Sequence, residues 1–457
     1  MTLLVALLYA TPALAQTPAP TSTSTSSPAP APAATSGDPL AAAGAAYDRG
    51  DYARAVTLWQ SALPDLEKAK DRRTDGVLVH LALALDALGR YSEALAALQR
   101  SLANQRAAGN AVSQAVDLSA IGMIDLDAGH GDEALASLRE ALAIARTLKN
   151  RQIEVADLSS IGAVESTLGH HAEALAAQRQ ALAIHHDLGN RAAEASDLRS
   201  IGIAADKLGK HAEALDAHQR ALAINRSLPN RFEAAQDLTN AGAVLAELGR
   251  SAEALAAQQE ALSIYRDLKN RTGEANELGN VGETQENLGR YDDALASLRA
   301  ALAIQTELKN QNGIAADLTD IGNVEDDLGR DADALASERQ ALAMNRAIGN
   351  RLGEADDLGN IGNIDERLGR YREALDLHSQ ALALQRILKN PVGEAGELRN
   401  AANALYRLGR FAEALADYRQ ALALHRALGN RAGEAGDLGN MGVSQAETGN
   451  YVQALAS

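Results

Sequence analysis

An all-α solenoid of stacked antiparallel helix hairpins is the fold that the sequence predicts. The chain has 457 residues, of which only 3% are aromatic, whereas single hydrophobic cores stop growing at about 250–300 residues. Alanine and leucine dominate the sequence instead, and both are strong helix formers. From Asp71 onward the sequence repeats every 40 residues without an insertion. A fixed period of this length is typical of a solenoid, in which each repeat contacts only its neighbours.

Each repeat contains two helical segments separated by a glycine. In residues 191–230, apolar residues follow helical spacing from Arg191 to Leu208 and again from His211 to Leu228. Gly209 separates the two segments, because glycine readily adopts the left-handed conformation that ends a helix. One hairpin cannot bury its apolar face alone, so the hairpins must stack. The period predicts a solenoid over residues 39–457, with ten complete hairpins and a truncated eleventh.

The repeated positions resemble the tetratricopeptide repeat signature. In residues 191–230 they are Leu198, Ile201, Gly202, Gly209, Ala214 and Ala221. The usual repeat has about 34 residues, and the longer form found here is similar to the repeats of kinesin light chains and of Leu-Gly-Asn scaffold proteins. The resemblance implies a right-handed superhelical α-solenoid whose concave groove binds a peptide or a protein.

The N-terminal residues predict export. An apolar run from Leu3 to Tyr9 is followed by Ala13-Leu14-Ala15, which fits the small-residue pattern of signal peptidase cleavage. Residues 1–15 are therefore a predicted signal peptide, and the protein is expected to be periplasmic or secreted. No lysine or arginine precedes the apolar run, so a cytoplasmic location is the alternative. Residues 16–38 are mostly Pro, Ala, Thr and Ser, which predicts a disordered linker.

Charge and composition argue against several classes of partner and activity. A net charge of −17 disfavours nucleic acid and anionic membrane surfaces, and no membrane insertion is expected after signal cleavage. The chain has no cysteine, and its ten histidines do not follow metal-ligand spacing. We expect no metal, no cofactor and no catalytic site, so the protein is predicted not to be an enzyme.

Recurrent glycines in the first helix of each repeat are expected to mark close contact with the second helix, because no strand or lysine of a phosphate loop accompanies them. They are Gly122, Gly162, Gly202, Gly242, Gly282, Gly322 and Gly362.

Two sets of acids recur in the first helices. One set is expected to interact with the helix dipole from solvated or capping positions rather than to bind cations; its members are Asp117, Asp157, Asp197, Asp237, Glu277, Asp317, Asp357, Glu397 and Asp437. The other set includes Asp125, Glu165 and Glu325, each of which precedes an arginine by 14 residues. That spacing predicts ion pairs inside the hairpins, which would set helix register.

Asparagines on the first helices of the later repeats are the candidate binding residues. Residues three apart share a helix face, so these amides should line one wall of the stack, where they can pair with the backbone of an extended peptide. The alternative is that they are solvated or bond one another between repeats. The candidates are Asn240, Asn280, Asn323, Asn360, Asn363, Asn400, Asn403 and Asn440.

The predicted function is a non-catalytic scaffold that binds a peptide or protein partner in this groove. The alternative is a sensor or regulatory array that precedes an effector domain, such as a caspase-like protease, beyond residue 457. The eleventh hairpin ends at Ser457 without the polar capping helix that usually closes such arrays. A sequence that continues into a catalytic domain would favour the alternative.

Overall fold

The computed structural model describes residues 38–450 and Ala454, and within these residues it contains 21 α-helices and no strand. The predicted signal peptide and residues 16–37 of the predicted linker lie outside the described residues, as do 451–453 and 455–457 of the eleventh hairpin. None of the described helices is both long and apolar enough to cross a bilayer. The all-α solenoid predicted from the 40-residue period is confirmed.

The array divides into two compact units, Met1–Pro229 and Asn230–Ser457. Odd-numbered helices are the first helices of hairpins and even-numbered helices are the second. The N-terminal unit contains α1 (Pro39–Asp48), α2 (Tyr52–Lys68), α3 (Thr74–Ala87), α4 (Tyr91–Ala108), α5 (Ala111–Asp127), α6 (Gly131–Leu148), α7 (Arg151–Thr167), α8 (His171–Asp187), α9 (Arg191–Lys207) and α10 (His211–Ser227).

The C-terminal unit begins with the first helix of a new hairpin. It contains α11 (Arg231–Glu247), α12 (Ser251–Asp267), α13 (Arg271–Asn287), α14 (Tyr291–Leu308), α15 (Gln311–Asp327), α16 (Asp331–Ile348), α17 (Arg351–Arg367), α18 (Tyr371–Ile387), α19 (Pro391–Arg407), α20 (Phe411–Ala427) and α21 (Arg431–Glu447). Within each unit every helix packs against the helices before and after it, which buries a continuous core of alanine, leucine and isoleucine.

The glycines of the first helices lie where the second helix of the same hairpin comes closest. A Cβ atom on Gly122 would lie 2.9 Å from the carbonyl oxygen of Ala134 and 2.7 Å from Cγ of Leu138. A Cβ atom on Gly202 would meet the His218 ring at 2.5 Å. The prediction that these glycines permit close helix packing is confirmed.

Two residues recur in the turns between hairpins. The asparagine that ends each repeat in the sequence caps the next first helix, as when the Asn270 side chain accepts a hydrogen bond from the backbone N–H of Gly273 at 2.9 Å. The residue before this asparagine is usually a glycine or lysine in the left-handed conformation, such as Gly349 (φ 74°) or Lys269 (φ 55°). These turns link the hairpins at a fixed spacing.

The ion pairs predicted inside the hairpins are wrong, because the arginines reach the next hairpin instead. Arg139 donates to Glu165, which lies 26 residues ahead, at 2.7 Å. Arg299 and Glu325 repeat this pairing at 3.0 Å. Asp125, the predicted partner of Arg139, lies 3.7 Å from Nδ1 of His130 instead. The arginine stands on the second helix, which packs against the next first helix as well as its own.

Candidate functional site

The first helices of the C-terminal unit form one wall of the stack. Successive first helices from α11 to α21 contact one another directly, whereas contacts between successive second helices are weaker. Helices that approach each other on one side of a stack place that side on the inside of its curve. All eight candidate asparagines stand on these first helices, and we call them the amide wall.

The structure brings four members of the amide wall together in two pairs. Nδ2 of Asn360 donates to Oδ1 of Asn323 on the preceding first helix at 3.1 Å. The next pair has the same spacing, with Asn440 donating to Asn403 at 3.3 Å. The alternative that these amides bond one another between hairpins is therefore present in part. Each bond uses one donor and one acceptor of groups that have several.

The other four members are more separate. Asn280 hydrogen-bonds the carboxylate of Glu277 on its own helix. Asn240 and Asn400 are half-buried, and Asn363 is exposed. The assignment of these eight side chains to a binding site stays a prediction, which their placement on one wall allows.

A second layer of polar side chains lies behind the amide wall, on the second helices. Glu338 is only 1% exposed and accepts a hydrogen bond from Nδ2 of Asn360 at 3.1 Å. Tyr418 lies at the equivalent position of its hairpin, and its hydroxyl donates to Oδ1 of Asn403 at 2.7 Å. Glu338 lies against Gly322 of its own hairpin, and the hydrogen bonds with Glu338 and Tyr418 orient the two amides from behind.

In the N-terminal unit the equivalent positions of the first helices carry small or apolar side chains in place of amides. Ser200, Ala163 and Ile203 line an open cavity of about 310 Å³ there. Behind it His218 is buried, which lowers the pKa of its ring to about 4. The amide character of the wall is therefore confined to the C-terminal unit.

The recurrent acids of the first helices are buried, so the expectation of a solvated or capping role is wrong. Eight of the nine are at most 5% exposed, and Glu397 is half-buried. They stand at the seventh residue of each helix, where a carboxylate faces the preceding hairpin rather than the N-terminus, which the asparagines cap. Burial raises the pKa values of Asp157 and Glu277 to about 7, although hydroxyl donors oppose the change.

Most of the buried acids receive donors from the preceding hairpin. A hydroxyl of the preceding first helix, 38 residues earlier, donates to the acid in the pairs Thr239–Glu277 (2.5 Å) and Thr319–Asp357 (2.8 Å). A side chain of the preceding second helix, 12 residues earlier, adds a second donor, as from Asn345 to Asp357 at 2.8 Å. Sequence reasoning did not find this network, although the recurrence of Ser or Thr two residues after the acid was a signal.

Uncompensated negative charge collects on the wall between α13 and α15. Burial, with the neighbouring carboxylates of Asp327, Asp320 and Glu283, raises the pKa of Glu286 to about 7. Burial and the charge of Glu283 raise the pKa of Asp320 to about 6. Within the described residues of either unit taken alone, no three acidic or histidine side chains come close enough to share a metal ion.

Comparisons with known proteins agree with the repeat architecture. Family models described as tetratricopeptide repeat match residues 154–227, 192–267, 273–347, 358–392 and 398–429, which together cover more than half of the chain. A search of curated protein sequences found no significant match.

Solved structures of similar fold include three repeat proteins. The apo form of the quorum sensor NprR from B. thuringiensis is 14% identical over 75% of this chain and 99% of its own, with a TM-score of 0.53. A signal transduction ATPase with a tetratricopeptide repeat sensor from Pyrococcus horikoshii is 15% identical over 75% of this chain and 53% of its own, with a TM-score of 0.54. A Rap protein complexed with Competence and Sporulation Factor is 14% identical over 86% of this chain and 97% of its own, with a TM-score of 0.50.

Proposed function

Because the chain belongs to the tetratricopeptide repeat family, we propose that it binds an extended segment of a partner protein or a peptide along the amide wall. The observation that carries the proposal is the alignment of asparagine pairs across successive first helices, Asn323–Asn360 and Asn403–Asn440. An extended backbone presents donors and acceptors at regular intervals, and amides can satisfy both.

The amides are held in place before a ligand arrives. Glu338 and Tyr418 bond Asn360 and Asn403 from behind the wall, which reduces the side-chain entropy lost on binding. Asn363 is exposed one turn from Asn360 and makes no side-chain hydrogen bond to another described residue, so its amide is available to a ligand. We infer that the wall acts by binding alone and catalyses no reaction.

The proteins of similar fold support a sensing role as the second candidate function. One is named a quorum sensor and another carries a tetratricopeptide repeat sensor. In that role the partner would change the conformation of the array, and hydrogen exchange with and without a bound peptide would distinguish a sensor from a passive scaffold.

Export of the protein remains a proposal that rests on the cleavage pattern at Ala13-Leu14-Ala15.

The test of the amide wall uses peptides selected from a random display library on the native chain. Affinities are measured by isothermal titration calorimetry for the native protein and for the variant Asn360→Ala/Asn363→Ala/Asn403→Ala. We expect binding to weaken roughly 10- to 100-fold, because two or three hydrogen bonds of about 0.5–1.5 kcal/mol each are lost.

A matched variant checks that the loss is local. Gln340→Ala/Gln380→Ala/Gln420→Ala removes three amides from exposed positions of the second helices and should change the affinity less than about twofold, since surface substitutions away from a site have small effects. Circular dichroism must show both variants to be helical. An affinity that the asparagine variant leaves unchanged would remove the amide wall as the binding surface.

A further inference from the structure

Asp317 is the exception in the network of buried acids. It is 5% exposed, and no hydrogen bond to its carboxylate is present among the described residues. Asp157 and Glu277 also have one unpaired oxygen each, but a hydroxyl group donates to the other oxygen. Burial, followed by the charge of Asp320, raises the pKa of Asp317 to about 7. The equivalent acids Glu277 and Asp357 receive a threonine hydroxyl from the preceding first helix.

In other hairpins, the residues 38 and 12 positions before the buried acid donate hydrogen bonds to it. Neither of these positions donates to Asp317. The residue 38 positions before Asp317 is Gly279, which has no side chain. The residue 12 positions before it is Gln305, which donates instead to Oδ1 of Asn276 at 3.2 Å and accepts from Asn310 at 2.9 Å. Asp317 is therefore left without the donors that its environment provides in other hairpins.

Gly279 also leaves an opening on the wall above Asp317. A Cβ atom built on Gly279 would lie 3.7 Å from Oδ1 of Asp317 and would meet no other atom within 4 Å. At Gly359, the equivalent position two hairpins later, a Cβ atom would lie 2.7 Å from Oε1 of Glu397, and that acid is bonded by His378 at 2.8 Å. The opening at Gly279 thus leads to a buried carboxylate, whereas the space at Gly359 is already filled.

Two further acids stand on the rim of this opening. Asp320 and Glu283 occupy the same positions in their hairpins as the hydrogen-bonded pair Asn360 and Asn323. The charges that act on the pKa of Asp320 come from carboxylates, as they do for Asp317. We call Gly279, Glu283, Asp317 and Asp320 the acidic niche.

The pair of first helices α19 and α21 shows which side chain can reach the buried acid from the position that Gly279 occupies in α13. Arg399 stands 38 residues before the buried acid Asp437, where Gly279 stands before Asp317. Nε of Arg399 donates to Oδ1 of Asp437 at 2.7 Å, and His425 bonds the other oxygen at 2.6 Å. A guanidinium group therefore fits the equivalent acid from the position that glycine leaves open in the niche.

We propose that the acidic niche binds a cationic side chain, preferably an arginine, of the peptide that lies on the amide wall. This inference rests on the proposed function. The guanidinium enters above Gly279, donates to Asp317 and lies between the carboxylates of Asp320 and Glu283. A metal ion is a poorer occupant, because these carboxylates do not come close enough together to share one.

The probes are the peptides selected on the native chain, with each arginine replaced in turn by citrulline, its neutral isostere, and each lysine by norleucine. We expect one cationic position whose replacement lowers affinity roughly 10- to 100-fold on the native chain, the usual effect of a hydrogen bond to a charged group. On the Asp317→Asn variant the same replacement should cost less than about twofold, because the charge it pairs with is gone.

A second variant fills the niche from within. Gly279→Arg places a guanidinium where Arg399 stands in its hairpin and should lower the affinity for the cationic peptide about tenfold or more. Gly439→Arg adds the same charge at the equivalent position of α21 and should change that affinity less than about twofold.

The outcomes separate the niche from the wall. Selected peptides that depend on the asparagines but on no cationic residue overturn the niche and leave the proposed function standing. An equal loss on the native chain and on Asp317→Asn also overturns the niche. If the native chain selects no peptide, both proposals fail.

Discussion

Glu338 shows how much a single residue depends on its surroundings. It lies on α16, over Gly322 of α15, with one carboxylate oxygen bonded by Asn360 and the other without a hydrogen-bond partner among the described residues. Burial, together with the negative charge of Asp357, raises the pKa of Glu338 to about 9. Two other hairpins carry Gln178 and Gln258 at this position, which bury a neutral amide instead.

We predict that Glu338→Gln stabilises the protein at high pH and has little effect at pH 5. Between pH 4.5 and about 9 the folded state keeps the proton on Glu338, whereas the unfolded chain has released it. The free energy of unfolding therefore falls as the pH rises through this range. At pH 9 the variant should gain about 1–3 kcal/mol, the usual penalty of a buried unsatisfied polar group. Thermal unfolding from pH 5 to pH 9 measures the difference.

The control is Glu373→Gln, an exposed acid on α18, which should unfold like the native chain across this range. If Glu338→Gln and the native chain show the same dependence of thermal stability on pH, the prediction is contradicted. That result would mean that Glu338 does not have a pKa near 9 in the folded chain and near 4.5 in the unfolded chain.

Sequence reasoning succeeded with residue types and failed with residue partners. The glycines were correctly predicted to permit close packing, because a helix interior tolerates glycine poorly without such a reason. The acids at the seventh helix position, such as Asp357, were assigned to the helix dipole at solvated or capping positions, because charges of this kind are common there. Their partners lie 12 and 38 residues away, and only packed hairpins bring those residues together.

At the scale of the helix, glycine has two opposite effects in this protein. Gly122 is buried against α6, where an added Cβ atom would lie 2.9 Å from a backbone oxygen. Gly396 in α19 has no atom within 4 Å of the same position. The first glycine permits two helices to pack, whereas the second only weakens the helix that contains it.

Alanine substitutions at these two glycines should therefore have opposite signs. Gly122→Ala should destabilise the protein by about 1–3 kcal/mol, the usual cost of overpacking. Gly396→Ala should stabilise it by up to about 1 kcal/mol, because alanine has the higher helix propensity. Chemical denaturation at one pH measures both. Destabilisation of the same size in both variants would show that packing at Gly122 is not the cause.

From Asp71 onward the sequence repeats without interruption, yet the chain divides into two units after Pro229. In eight other turns between hairpins, the N–H of the final asparagine donates to the carbonyl oxygen five residues earlier. Proline cannot adopt the left-handed conformation that precedes this bond in those turns. At this turn Leu228 is extended, with φ −102° and ψ 155°.

We predict that the amide of Asn230 exchanges its hydrogen faster than that of Asn270, which closes an equivalent turn by donating to Tyr265 at 2.9 Å. One lost hydrogen bond of about 1 kcal/mol corresponds to roughly fivefold in exchange rate. The variant Pro229→Lys carries the residue that stands at 149, 269, 309 and 389 and should slow the exchange of Asn230. Amide exchange followed by NMR or mass spectrometry checks both statements, and equal rates at the two asparagines in the native chain would refute them.

The sequence by itself determined the helices, their pairing into hairpins and the wall on which the asparagines stand. These features follow from spacings of three or four residues and from a strict 40-residue period, which are local properties of the chain. The tertiary structure alone decided which charge meets which partner. Arg139 pairs with Glu165 rather than Asp125, and Asp317 is left without a donor beneath Gly279. Such choices depend on distances between side chains of neighbouring hairpins, because a buried charge is stabilised only by groups within hydrogen-bond reach.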